Sequence, residues 1–204
     1  MYGCAMDAEL FVNALSVALR AAEGKIPTTV QPAKWTTFMQ GCLLDLAESS
    51  SMHMCAGGLG KLPGRKLDSS MHLPTEFLFD FTLYEQSDWK DWSLPSVIIE
   101  HENEWTQQAF FQDFWKLLIG HAPLRIMFGY ARTAGELDGL VAALLLHERD
   151  SRWSYPPTAE DLVFLRCPDD GGMPWPEWRL LHRPKTLAWR PTQTVTLDGR
   201  SISL

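Results

Sequence analysis

Apolar and polar positions alternate along this chain with two distinct periods. From Asp7 to Ala22, the residues Leu10, Phe11, Ala14, Leu15, Ala18 and Ala21 recur at helical spacing, and Gly24 follows as a stop signal. Trp35, Phe38, Met39, Cys42, Leu43 and Leu46 repeat the pattern and predict a second helix, which "ESSS" interrupts. The Gly-rich segment "CAGGLGKLPGRKLDSS" (55–70) has no period and predicts a loop. "EFLFDFTLYE" (76–85) is aromatic and β-branched, so it predicts a strand with Asp80 in its middle. A second strand is predicted from Ser96 to Glu102, then a helix over "EWTQQAFFQDFWKLLIG", a strand over "PLRIMFGY" and a helix capped by Thr133. Three strands are expected after these: "EDLVFLRCP", "EWRLLHRP" and "TQTVTLDGRSISL", the last turning at Asp198-Gly199. A helix joining two strands between 96 and 130 implies a crossover, hence an α/β fold: a mixed central sheet flanked by helices, with extra C-terminal strands.

Composition narrows the picture. With 204 residues and 46% hydrophobic content, the chain can bury one sizeable core, and one domain is expected. The longest apolar run, Leu140 to Leu146, is far short of the roughly 20 residues that cross a bilayer, so no membrane association is expected and a cytoplasmic location is. Cys4, Cys42, Cys55 and Cys167 form no C-x-x-C pair, which points to buried free thiols rather than structural zinc. The net charge of -7 opposes general attachment to polyanions, so any nucleic-acid contact must be local. Two basic clusters are candidates: Lys61, Arg65 and Lys66, and Arg179, His182, Arg183, Lys185 and Arg190. The Gly-rich loop completes no phosphate-binding Gly-x-x-x-x-Gly-Lys-Ser/Thr pattern, and no Gly-x-Ser-x-Gly elbow is present.

The chemistry concentrates in "SVIIEHENEW" (96–105). Side chains alternate in a strand, so Glu100 and Glu102 share one face and His101 and Asn103 the other. An acid flanked by Phe79 and Phe81 is hard to explain as surface, and pairing of the two strands would bring Asp80 to the glutamates. Clustered carboxylates repel unless a cation neutralises them, and Mg2+ or Mn2+, which prefer oxygen ligands, suit such a set. The plain alternative is a solvated strand end leading into an acidic first helical turn. His101 is expected to be structural, Asn103 to cap a helix starting at Glu104, and Lys116 to follow a buried Trp115.

These residues resemble the PD-(D/E)xK, restriction-endonuclease-like nuclease superfamily: a helix, a strand with Asp80, a strand ending Glu100-x-Glu102, a helix and a further strand. The resemblance covers about 34–149 as the core, with 150–204 as a β-rich elaboration. It implies metal-dependent phosphodiester hydrolysis on DNA or RNA, with Mg2+ or Mn2+ held by Asp80, Glu100 and Glu102. Glu102 stands where most members carry lysine, and the resemblance offers Lys116, on the next helix, as the migrated cation. Glu48 is similar to the extra metal-binding acid that some members bring from an earlier helix. The other reading is a non-catalytic member of the fold that binds nucleic acid, or binds a protein through the Trp-rich C-terminal region of Trp153, Trp175, Trp178 and Trp189. Trp175 is the one expected to be exposed.

Overall fold

The computed structural model describes residues 6–27, 31–66, 72–73, 78–85, 94–148, 158–167, 175, 177–185 and 188–204. Helices α1 (Ala8–Ala21), α2 (Pro32–Ser49), α3 (Gln107–Ile119) and α4 (Ala134–Glu148) accompany strands β1 (Met52–Ala56), β2 (His72–Leu73), β3 (Phe81–Glu85), β4 (Val97–Glu102), β5 (Leu124–Tyr130), β6 (Glu160–Arg166), β7 (Glu177–Arg183) and β8 (Gln193–Thr196). Local chemistry sets the helix starts. The Asp7 carboxylate accepts from the Leu10 N–H at 2.9 Å, and the Thr106 and Thr133 hydroxyls accept from the Ala109 and Glu136 N–H groups, each at 3.2 Å. Pro32 occupies the first turn of α2, where its missing N–H loses nothing.

The eight strands form one mixed sheet in the order β2-β1-β3-β4-β5-β6-β7-β8. β4, β5 and β6 run parallel, linked through α3 and α4, and β3 and β7 flank them antiparallel. Strand alternation then divides the core in two. Ile99, Ile126, Phe128 and Phe164 pack with Phe11, Leu15, Met39 and Leu43 of α1 and α2. Ile98, Met127, Val163 and Leu181 pack with Phe110, Phe114, Leu117 and Leu144 of α3 and α4. Each such fully buried Leu, Ile or Phe contributes about 1.5–3 kcal/mol relative to exposure. Gly129, opposite Glu102 in register, lets α3 approach closely: a Cβ there would meet the Phe110 ring at 2.6 Å.

Near the amino ends of the parallel strands, on the α3 face, lies a buried ionic cluster. Arg125, Asp161 and Arg183 are in register on β5, β6 and β7 and are 1%, 1% and 4% exposed. Asp161 accepts from Arg125 Nε at 2.6 Å and from Arg183. Arg125 also donates to the Leu117 and Leu118 carbonyls, at 3.4 and 3.2 Å, and so ties the carboxyl end of α3 to the sheet.

Several expectations are corrected. β1 falls where a loop was expected to begin at residue 55, because "MHMCA" is buried on both faces and shows no alternation. The "ESSS" break is a tight turn, with Ser51 at a left-handed φ of 56°. β3 begins at Phe81, so Asp80 precedes the strand instead of interrupting it. The C-terminus forms no hairpin at Asp198-Gly199. It runs along α1 instead, where Gly199 N–H donates to Ser16 Oγ at 2.8 Å and Ile202 N–H to Asn13 Oδ1 at 2.6 Å. Trp115 is 54% exposed, not buried. Cys42 and Cys55 are buried free thiols as expected, Cys167 is buried, and Cys4 lies outside the described residues. No described helix is long and apolar enough to cross a membrane.

Candidate functional site

The site is assembled at the carboxyl end of β4. The strand's two-residue period turns Ile98, Glu100 and Glu102 toward α3, and Val97, Ile99 and His101 toward α1 and α2. β3 pairs antiparallel with β4 through Phe81 and Ile99, so Asp80, one residue before the strand, comes level with Glu100. Asp80 Oδ2 accepts from the His101 N–H at 2.8 Å, which fixes the carboxyl against the strand. From above, α3 presents Asp113 and Lys116 one turn apart. Lys116 Nζ lies 2.8 Å from Glu100 Oε1 and 3.1 Å from Asp113 Oδ1.

Burial shapes the electrostatics. Glu100 is fully buried, and the ammonium approaches it at ion-pair distance but off the hydrogen-bond axis, leaving both carboxyl oxygens without an aligned donor. Burial and the neighbouring Asp80 charge push Glu100 up to about 9, against the opposing pull of Lys116. Asp80 is also raised by burial, partly offset by the His101 N–H and by Glu100. Glu102 is raised to about 7, by burial first and then by Asp113, while the Glu104 N–H it accepts from opposes the shift. Partial burial of Lys116 disfavours its charge, but Glu100 and Asp113 outweigh this and hold the ammonium protonated. Asp80, Glu100 and Asp113 thus act on one ammonium, with Glu102 beside Asp113, so carboxyl groups outnumber cations in a largely buried place.

The donor set fits a hard divalent cation. Among the described residues no group of three or more His, Cys, Asp or Glu side chains is arranged to hold a metal ion, so this is no protein cage. A Mg2+-type ion is commonly bound by one or two carboxylates and keeps several waters. Asp80 and Glu100 supply such a pair, and the undonated Glu100 oxygens are the atoms a cation would satisfy.

Of the five residues singled out in the sequence, three meet here directly: Asp80, Glu100 and Lys116. Glu102 flanks them, turned to the Glu104 N–H and Asp113. Glu48 does not join them. It lies on α2, across the sheet from α3, with Arg65 Nη1 at 3.5 Å and His72 Nε2 at 3.9 Å. Asp113 was missed; its signal is the i, i+3 spacing to Lys116. On the far face His101 is buried and pushed down to about 3 by desolvation, so its ring is neutral. Its Nε2 lies 2.8 Å from Tyr130 Oη, and its Nδ1 lies 3.2 Å from Asn103 Nδ2. Asn103 is therefore no helix cap: it donates to Thr36 Oγ1 at 2.7 Å, and Thr106 caps α3.

The basic clusters divide: His182 and Arg183 are buried, Arg65 and Arg179 half-buried, and Lys61, Lys66, Lys185 and Arg190 exposed. Arg183 belongs to the Asp161 cluster, His182 faces Glu160 at 3.5 Å, and Arg65 pairs with Asp45 and Glu48. Trp178 is fully buried and Trp189 nearly so, and Trp153 lies outside the described residues. Trp175 is half-buried, not exposed. It packs on Phe38 and Trp35 with ring centroids 5.9 and 6.4 Å away, under the Arg166 guanidinium at 5.0 Å. No family model, curated protein or solved structure matches this chain.

Proposed function

We propose that this chain is a divalent-cation-dependent phosphodiesterase that acts on nucleic acid, with Asp80 and Glu100 as the cation-binding pair. The observation that carries the reading is the juxtaposition of these two carboxyls with Lys116 at the end of a buried strand. The order of helix, Asp80, strand, Glu-x-Glu strand, helix and parallel strand supports the likeness to PD-(D/E)xK nucleases. A bound Mg2+ or Mn2+ would supply Lewis acidity toward a phosphodiester oxygen and acidify a water. Asp80, anchored by the His101 N–H, and Glu100 would hold the ion. Lys116 has three N–H donors; Asp113 accepts one, and Glu100 holds the ammonium at ion-pair distance. A remaining donor would orient a water or meet a phosphate oxygen. Asp113 steers the ammonium toward Glu100. Glu102, poised near neutrality, is the neighbouring group able to accept a proton.

Substrate would approach along the outer side of α3, where Gln108, Phe111, Gln112, Trp115 and Lys116 line a shallow depression of about 550 Å³. The exposed Trp115 ring there offers a surface on which a base can stack.

A second reading, a non-catalytic binding module of the same fold, is favoured by the turn of Glu102 away from Asp80 and by the lack of a third ligand. The experiment that decides is incubation of single- and double-stranded DNA and RNA with the protein in Mg2+ or Mn2+, beside Asp80→Ala and Glu100→Ala. Cleavage abolished by both substitutions is expected. Cleavage indifferent to both, or none with any substrate, rejects the catalytic assignment.

A further inference from the structure

Helix α2 borders a groove with a stripe that combines the buried Phe38 and Cys42 with the exposed Lys34 and Thr37. Lys34, Thr37, Phe38, Gly41, Cys42 and Asp45 recur at spacings of three and four, so they lie along one side of the helix. They form one wall of a groove of about 380 Å³. Ala22, Lys25 and Pro27, after α1, close one side, and Leu62, Pro63 and Arg65 close the other. This volume is in the range of pockets that hold small molecules. The groove lies on the α1/α2 side of the sheet, away from the carboxylate site on the α3 side.

Three features give the groove a chemical preference. Its walls are mainly apolar, built from Phe38, Leu62, Pro63, Ala22 and the buried Cys42. Its charged residues are Lys25, Lys34 and Arg65 against one acid, Asp45, a local positive excess in a chain of net charge -7. Arg65 is bound to Asp45 and Glu48, whereas Lys25 and Lys34 have no carboxylate partner among the described residues. The floor is also open at Gly41, where an added Cβ would meet no heavy atom within 4 Å. A glycine inside a helix is disfavoured by about 1 kcal/mol relative to alanine, and here it leaves the floor of the groove bare.

We propose that this groove binds a small amphipathic anion, whose apolar body lies over Gly41 and Phe38 and whose carboxylate or phosphate group sits between Lys25 and Lys34. The recessed shape and single-molecule volume fit a free ligand better than a membrane surface.

The test uses the full chain and two fluorescent probes: the anionic 1-anilinonaphthalene-8-sulfonate and the neutral N-phenyl-1-naphthylamine. The sulfonate is expected to bind at one site and more tightly than the neutral probe. Gly41→Leu fills the groove from a position with free space, so it should weaken sulfonate binding about tenfold or more while leaving the melting temperature unchanged or higher. Lys25→Gln with Lys34→Gln, both on exposed side chains, should weaken the sulfonate about threefold or more and leave the neutral probe unaffected. Sulfonate affinity unchanged by Gly41→Leu overturns the site. Equal affinity for both probes, or equal losses in the double lysine variant, overturns the anion preference. Co-sedimentation with phosphatidylglycerol vesicles that Gly41→Leu abolishes would overturn the free-ligand assignment.

Discussion

Two clusters of buried charge lie on the same face of this sheet, one on β5, β6 and β7 and the other on β4 and at the residue before β3. In the first, Asp161 stands between Arg125 and Arg183, and the guanidinium groups also donate to the Leu117, Leu118 and Ala159 carbonyls. The carboxylate is saturated, and the product is mechanical: α3 and β7 are tied to the middle of the sheet. In the second, Lys116 is the one cation beside Asp80, Glu100 and Asp113, Glu102 adjoins Asp113, and both oxygens of Glu100 lack an aligned donor. Both clusters carry the cost of desolvation. In the first the central acid is fully engaged, although Arg125 Nη2 has no hydrogen-bond partner; in the second the central acid accepts no aligned donor. A buried carboxylate that its neighbours engage ties elements of the fold together, and one left without donors is a candidate place for an ion or substrate.

The comparison breaks most directly by removing the central acid of each cluster. Asp161→Ala leaves two buried guanidinium groups without their carboxylate and should destabilise the protein by about 3–5 kcal/mol in denaturant unfolding. Glu100→Gln, equally buried, should leave the metal-free protein about as stable at neutral pH, because burial and Asp80 already hold Glu100 in its neutral form there. A loss of stability in Glu100→Gln comparable to that in Asp161→Ala would erase the distinction.

Next in size are the catalytic effects. Lys116→Ala should reduce the rate of cleavage about 10²–10³-fold, with smaller change in substrate affinity, as expected for loss of one positioned donor. Asp113→Asn acts only by steering Lys116 and should cost about tenfold or somewhat more. Steady-state kinetics on both variants checks the order. Asp113→Asn exceeding Lys116→Ala would place the chemistry on the wrong residue.

A pH profile sharpens the contrast further. Glu100 has a folded pKa of about 9, above its ordinary value of 4.5. The unfolded chain therefore releases this proton first, and metal-free stability should fall as pH rises from about 4.5 toward 9. The slope should be much reduced in Glu100→Gln, with the remainder from Asp80 and Glu102, and be reduced by added Mn2+, as thermal unfolding across pH can show. The smallest effect is at the surface: Trp115→Ala should weaken single-stranded nucleic-acid binding by about 1 kcal/mol, read by fluorescence anisotropy.

How far the site could be read from sequence depended on how local each signal was. The facing of Glu100 and Glu102 follows from a period of two, and His101 duly lies on the other side of β4. Lys116 was legible because a helix after a strand must fold back over it. Asp80 was legible as an acid out of place among aromatic residues, though its position just before the strand was not. Asp113 escaped notice because nothing in a helical Asp distinguishes a site from a solvated face. Glu48 misled because its partners, Arg65 and His72, are distant in sequence. The mixed sheet and its helices were legible from periodicity, but β1 was hidden, since a strand covered on both faces loses alternation. The C-terminal path along α1 depends on Asn13 and Ser16 reaching across the fold, a contact no local pattern announces.

The central claim is that Asp80 and Glu100 form a divalent-cation site, and calorimetric titration with Mn2+ tests it without reference to any substrate. The account predicts binding to the wild-type chain that is lost in Asp80→Asn and Glu100→Gln and retained in Glu48→Gln. Absence of binding, or binding that survives both Asp80→Asn and Glu100→Gln, would contradict it.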